Sequence, residues 1–433
     1  MNYIKKPLFS NFKYENWKNL IIAAIICFYF IDFIATFGNG EIGSDYLGYW
    51  SVGKIADEKG YSEIYDFNIL KSVQLQGRKE LGFPDKINDP SFSPIIVPYF
   101  SFFVLPFQLI SRIGIIYSFW TWTIINLIIL IGYLVYFIRR TIPESDTEIS
   151  GLKLLILMLI SWPVFFNIVC GQIEVFLLIC TGEFLRNAVL KKPVLSGIWL
   201  GGLLLKPQLL IIIVAIFLIM RNWKVLAGFI ASSGIIVMTS LLISGFDGMK
   251  ALINLWTKFS DSVPSFAPQI MINWRMIGLN LNNNFNTSFG WAFTGLGIFL
   301  TIAVVYFMVK QNPPFGSPKW VMVMLGVFSA TLAITWHSHY HMAMILIPFL
   351  IYASINRKLP EGRIFFWVIA TPVATFGMLV VRLLILVILK VYIEYYDGMA
   401  IGLFGFIVNL AILISTLESL NNLNLSRLFK QVE

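Results

Sequence analysis

The sequence predicts an all-α polytopic membrane protein of about twelve transmembrane helices. Two observations predict this class. Hydrophobic residues make up 58% of the 433-residue chain and charged residues only 13%, against about 45–50% and about 25% in ordinary soluble domains. Mean hydropathy is correspondingly +0.77. The apolar residues also fall in continuous runs, near 19–38, 93–111, 115–138, 152–169, 173–190, 194–220, 225–244, 290–310, 319–336, 341–355, 364–390 and 399–418. A helix needs about 20 apolar residues to cross a bilayer, whereas barrel strands would alternate apolar and polar positions over about ten residues. The chain reads as a single integral membrane unit, 1–433. Its first module spans 19–244 with an external loop at 39–92; a second external loop covers 245–289, and 290–418 supplies the C-terminal helices.

Charge then orients the spans. The net charge of +9 comes from short Lys/Arg clusters between apolar runs, not from a basic stripe, so nucleic acid is not a partner. Cytoplasmic loops collect Lys and Arg, and Lys5, Lys6, Lys13 and Lys18 place the N-terminus inside. Alternation puts 39–91 outside, Arg221–Lys224 inside, 245–289 outside, the His337–His341 stretch outside, and Arg357, Lys358, Arg427 and Lys430 inside. Arg139-Arg140 and Lys191-Lys192 then face outward against the rule. A hairpin break at Lys206-Pro207 within 194–220 relieves part of that conflict, since Pro207 cannot donate a backbone hydrogen bond. No small-residue cleavage site follows the first helix, which reads as a retained span. Cys27, Cys170 and Cys180 lie in or beside apolar runs and have no metal-ligand spacing.

Several polar groups stand where polarity is costly, which makes them functional candidates. Ser44-Asp45-Tyr46-Leu47-Gly48-Tyr49-Trp50 follows the first apolar run, so Asp45 sits at the external membrane–water boundary. A carboxylate there can face a lipid head group and a water-soluble substrate together. The segment 61–70 has the pattern of a short helix lying on the membrane surface. Lys206, midway along an apolar run, needs a carboxylate, freed carbonyls or a phosphate; a structural ion pair is the plainer reading. All three histidines fall in Trp336-His337-Ser338-His339-Tyr340-His341. Their alternate spacing suits a strand or turn better than a helix face, and without a carboxylate they make a poor metal site. Imidazole donors suit a phosphate oxygen; interfacial placement without function is the alternative. Gly171-Gln172 and Glu174 lie between short apolar runs, while Glu183 and Arg186, three apart, can simply neutralise each other. Arg275 can hold an anion bidentately or act as an interfacial anchor.

Absences narrow the chemistry. The chain has no phosphate-binding glycine loop, no dinucleotide fingerprint, no HExxH and no soluble domain for a nucleotide-sugar donor. A polyprenyl-phosphate sugar, with its tail in the bilayer and its sugar at the interface, meets the remaining demand. The order of motifs resembles the integral-membrane GT-C glycosyltransferases, most closely the DUF2029/GT87 family of polyprenyl-phosphate-mannose-dependent α-mannosyltransferases. The matching pieces are Asp45-Tyr-Leu-Gly-Tyr-Trp50, Gly60-Tyr-Ser-Glu-Ile-Tyr-Asp66, Phe92-Ser-Pro-Ile-Ile-Val-Pro98 with Leu105-Pro106, and Gly171-Gln172. They continue with Ser196 through Lys206-Pro207 to Arg221-Asn-Trp223, Pro268 through Arg275, and the late histidines before Pro348. The resemblance covers about residues 40–350 and implies a GT-C-like helix arrangement. It also implies single-sugar transfer, with inversion, to a hydroxyl of a glycolipid or glycan at the external face of the cell (inner) membrane. A loop acid acts as base in such families, which carries onto Asp45. Tyr49, Gln172, Lys206, Arg275, His337, His339 and His341 are the expected substrate or phosphate contacts. In the family's late cluster an acidic residue or tyrosine often stands where this chain has His341. No metal ligands and no cofactor beyond the lipid-linked donor are expected; membrane lipid is a partner.

Two other classes stay open at the level of sequence. A secondary transporter or lipid-carrier flippase is suggested by Lys206, Glu174 and the Pro-broken run, though no internal repeat is present. A lipid-linked glycan polymerase or ligase would transfer whole oligosaccharides. The enzyme reading carries a geometric expectation: Asp45, Lys206, Arg275 and the histidines should converge on one external cavity, apolar on one side.

Overall fold

The computed structural model describes residues 8–38, 43–81, 92–141, 151–258, 270–389 and 396–430. Lys5, Lys6, the 39–42 and 82–91 stretches of the first loop, Pro264 and Pro268 lie outside the described residues. Among the described residues there is no strand. The helices are α1 (Leu8–Gly38), α2 (Tyr46–Glu58), α3 (Phe67–Glu80), α4 (Leu105–Ile110), α5 (Ile115–Thr141), α6 (Gly151–Leu159) and α7 (Trp162–Cys170). They continue with α8 (Glu174–Val189), α9 (Pro193–Gly201), α10 (Leu210–Ile219), α11 (Trp223–Lys258) and α12 (Trp274–Phe285). The last are α13 (Phe289–Lys310), α14 (Pro318–Ile334), α15 (Ile347–Ile355), α16 (Glu361–Leu389) and α17 (Tyr396–Lys430).

Among the described residues five helical stretches are long and apolar enough to cross a membrane: Ile115–Thr141, Trp223–Thr257, Phe289–Lys310, Glu361–Val381 and Ile401–Leu420. A sixth is the pair α6–α7, bent by 47°. The protein is an integral membrane protein. Length alone does not reproduce about twelve crossings, because several expected spans are shorter apolar helices of 10–17 residues, among them Pro193–Leu205, Pro207–Ile219 and Tyr340–Ile355.

The long segments run between two ends. At one end, Glu361 at the start of α16 takes Lys18 of α1 at 3.3 Å and Lys153 of α6 at 3.1 Å. At the other, Gly43 after α1 donates to the Val169 carbonyl late in α7 at 2.7 Å. α5 starts at this Asp45 end, where Tyr46 and Ser118 share a hydrogen bond of 2.5 Å, and finishes at Arg139-Arg140. α8 runs the same way, from Glu174 to Arg186. α9 returns to Lys206, α10 leaves it, and α11 comes back to set Trp256 Nε1 on the Pro98 carbonyl at 2.9 Å. α13 begins with Trp291 stacked on Trp336 and ends at Lys310; α14 then returns to Thr335.

Two expectations change. The run 93–111 is not a span. Residues 92–100 are extended and lead through a 3-10 turn, Ser101–Val104, into α4. Both ends of the run stay beside α2 and α3. Gln74 exchanges two 2.8 Å bonds with the Ile95 backbone, Tyr61 donates to Gln108 at 2.5 Å, and Arg112 pairs with Asp57 at 2.7 Å. The Arg112 guanidinium holds the Asp57 carboxyl below the usual carboxylate range. Pro94, Pro98 and Pro106 explain the failure to form a long helix, since each lacks the donor a helix interior needs. Conversely, 194–220 is two segments: Lys206 has φ −131° and ψ 79° between two 3-10 turns. Removing one span and dividing another brings Arg139-Arg140 and Lys191-Lys192 to the same end as Lys18, Lys224, Lys310 and Lys358. The stretch 245–289, expected as a second external loop, contains helix where it is described: α11 runs on past a kink at Gly245 (φ 68°) to Lys258, and α12 follows.

This arrangement predicts sidedness. In a background with the three cysteines replaced by serine, Arg139→Cys and Lys224→Cys are expected to react with a membrane-impermeant maleimide from one side. Ser72→Cys on α3 should react only from the other. Labelling of position 139 from the same side as position 72 would contradict these helix directions.

Candidate active site

The turn that presents Asp45 is fixed from three directions. α7 ends at Gly171 in the left-handed region (φ 68°), and a Cβ there would lie 2.6 Å from Tyr46 Cβ. Only glycine combines that backbone with that approach. Trp122 Nε1 donates to the Gly171 and Gln172 carbonyls at 3.1 and 3.3 Å. Gln172 Nε2 in turn donates to Asp45 Oδ2 at 2.5 Å, and the Tyr49 hydroxyl donates to Gln172 Oε1 at 2.7 Å. The ionised carboxylate can only accept, so it fixes the amide's N–H side toward the acid and leaves the amide oxygen to the tyrosine. Among the described residues Asp45 Oδ1 takes no hydrogen bond, and the side chain is half-buried.

Beside this turn lies a buried ion cluster. Glu174, the first residue of α8, is fully buried; its Oε1 receives Lys206 Nζ and lies 2.9 Å from His341 Nδ1. Its backbone N–H donates to Asn167 Oδ1 at 3.1 Å. Lys206 and His341 are themselves 3% and 2% exposed. The break at Lys206-Pro207 places the lysine here, and the segment after α14 places the histidine. His339 is extended (φ −90°, ψ 164°), and the alternate histidines form a row with ring centroids 4.7 Å apart for 337–339 and 5.8 Å for 339–341.

These groups open on one cavity of about 510 Å³. Asp45, Tyr49, Gln172, Lys206, His337, His339 and His341 all line it, together with Tyr99, Trp256 and Trp336. Ile95, Ile96, Val97, Pro98 and Ile211 make its apolar side, and Ile211 is 73% exposed to the surroundings. Arg275 is the one expected contact that does not line the cavity. Its guanidinium stacks 4.0 Å above the ring of Trp336, which does line the cavity. Lys206 is ion-paired and also lines the cavity. Glu174 emerges as a central residue. An acid directly after a Gly turn inside apolar sequence signalled it, but its partners lie far away in the chain. Tyr99 was hidden in a run read as a helix.

Fold and site define a membrane-embedded group-transfer protein, with a carboxylate, an amide, a buried lysine and imidazoles around one partly apolar cavity. The model of glycosyltransferase family 87 matches residues 97–335, more than half of the chain. The chain belongs to glycosyltransferase family 87 and is a membrane glycosyltransferase. Comparisons with curated proteins and with solved structures give no match.

The energetics of the site are open to measurement at two positions. Gly171→Ala should cost on the order of 1–3 kcal/mol from backbone strain, seen as a lower melting temperature in detergent. Glu174→Gln leaves Lys206 charged and buried without its counter-ion, a change of about 3–5 kcal/mol. The double variant Glu174→Gln, Lys206→Met should regain much of that stability, because no uncompensated charge remains. Thermal denaturation of the four proteins of this cycle checks the non-additivity.

Proposed function

We propose that the protein is an inverting glycosyltransferase that moves one hexose from a polyprenyl-phosphate donor to an acceptor hydroxyl of a glycolipid or glycan at the external face of the cell membrane. Mannose is the hexose the family resemblance implies. The carrying observation is that Asp45, with one oxygen unpaired among the described residues, shares one cavity with Lys206 and three imidazoles. The acceptor hydroxyl binds at Asp45 Oδ1 and gives up its proton there while its oxygen attacks the anomeric carbon. The bond from that carbon to the phosphate oxygen breaks, and its electron pair leaves with the polyprenyl phosphate. Lys206 and the histidines stabilise the charge that develops on that phosphate. Gln172 and Tyr49 orient the base, and Arg275, stacked on Trp336, adds positive field. The exposed Ile211 side of the cavity suits the donor's tail, which dissolves in the bilayer. The reading calls on no metal and no further cofactor.

The alternation of segments between the two ends supports about twelve crossings, with helices shorter than a full bilayer paired across bends. The end rich in Lys and Arg is then cytoplasmic, which puts Asp45 outside.

Purified enzyme in liposomes, supplied with polyprenyl-phosphate mannose and a glycolipid acceptor, tests the reading. Asp45→Asn is expected to lower transfer by about 10²–10⁴ while donor binding persists. Near-normal transfer by that variant removes the proposed base. A product heavier by several sugars per turnover points instead to a polymerase or ligase.

A further inference from the structure

A second cavity, of about 530 Å³, lies at the opposite end of the molecule, where α5, α8 and α15 meet. The span of α5 from Trp122, at the first site, to Arg140 is about 27 Å at the helical rise per residue. Arg140 and Arg186 both line the cavity, each with its guanidinium 5.9 Å from the Tyr136 ring centroid, so one aromatic face orients the two cations. Arg186 is held by Glu183 at 2.6 Å. Arg140 has no carboxylate partner among the described residues, which leaves the cavity with net positive charge. The Tyr352 hydroxyl makes no hydrogen bond among the described residues and lines the same space. Thr141 and Asn356 add neutral polar groups, and Phe137, Leu185, Val189 and Leu190 form an apolar wall that reaches the surface at Leu190, which is 49% exposed.

We propose that this cavity binds the phosphate-bearing head group of an anionic phospholipid in the leaflet opposite the Asp45 site. Arg140 supplies a forked, charge-assisted contact to phosphate oxygens, the free edge of Arg186 a second, and the Tyr352 hydroxyl a neutral donor. The C-terminal ends of three helices point here and disfavour an anion; that effect is confined to the last turn, and arginines stand in the last turns of α5 and α8. A free phosphate would use the same donors but would leave the apolar wall and the exposed Leu190 unused. An acyl chain leaving along Leu190 covers both. Basic pockets between membrane helices on the cytoplasmic side recognise lipid head groups by the same combination.

The test uses the full-length protein in neutral detergent, titrated with phosphatidylglycerol, with phosphatidylcholine of the same chains, or with inorganic phosphate. Bound lipid is counted by native mass spectrometry, and the melting temperature is followed in parallel. Phosphatidylglycerol should bind selectively and raise the melting temperature. Arg140→Gln should weaken it at least about tenfold, with a smaller loss in Tyr352→Phe. Arg140 is exposed, so the variant's own fold should persist; Tyr352→Phe supplies the reading if it does not. Equal binding of phosphatidylcholine, unchanged affinity in both variants, or stabilisation by inorganic phosphate without lipid preference overturns the proposal.

Discussion

The buried carboxylate of Glu174 is the constraint on which the rest of the structure depends. Taking a carboxylate and an ammonium out of water costs several kcal/mol per ion, and only close partners offset it. The chain meets this demand with groups drawn from distant positions: Lys206 from a broken hairpin and His341 from the turn after α14. Neither partner could reach Glu174 from an unbroken helix crossing elsewhere. The interruptions at Gly171, Lys206-Pro207 and 335–341 are therefore parts of one arrangement. Because the same interruptions end short helices inside the protein, they also open the cavity that the ion cluster lines.

Charge obeys a similar rule at the scale of the whole molecule. At the end opposite Asp45, the basic side chains Lys18, Arg139, Arg140, Lys153, Lys224 and Lys310 gather around few acids among the described residues, chiefly Glu183 and Glu361. The Asp45 end mixes signs, with Asp57 on Arg112 and Lys54 near Glu58. The helix directions that bring Asp45 to Gln172 are the ones that collect arginine and lysine at the far end. Local site geometry and global charge asymmetry thus agree on one topology.

Much of this was legible in the sequence. Run lengths and composition gave the class, and the acid-aromatic cluster after the first run gave Asp45 and Tyr49. The alternate spacing of the histidines pointed to a strand or turn, and His339 is extended, though His341 already lies in a 3-10 turn. The proline-rich stretch 92–106 was misread, because its hydropathy alone satisfies a span while its prolines forbid one; that single error reversed the sides of Arg139-Arg140 and Lys191-Lys192. Tyr99 was lost with it. Glu174 was visible as an acid in apolar sequence, but pairing across 32 residues to Lys206 and further to His341 leaves no periodic trace. Arg275 was placed near the site correctly in sequence order, yet which side of Trp336 it occupies is a packing outcome that no motif encodes.

The pairing pattern also explains how the Asp45 carboxylate and the Lys206 cation share one cavity without cancelling. Lys206 and Asp45 line the same space, and an unpartnered lysine beside an unpartnered carboxylate would close into an ion pair. Glu174 takes the ammonium first, in the drier position where the Coulombic gain is larger. Asp45 is left with a neutral amide on one oxygen and, among the described residues, no donor on the other. Hydrogen bonding from Gln172 positions the acid without adding a full positive charge to it. One Asp45 oxygen thus stays open to the cavity, while the positive charge of Lys206 stays fixed in the wall. A second carboxylate, the buried Glu174, is what keeps the Asp45 carboxylate and the Lys206 ammonium apart.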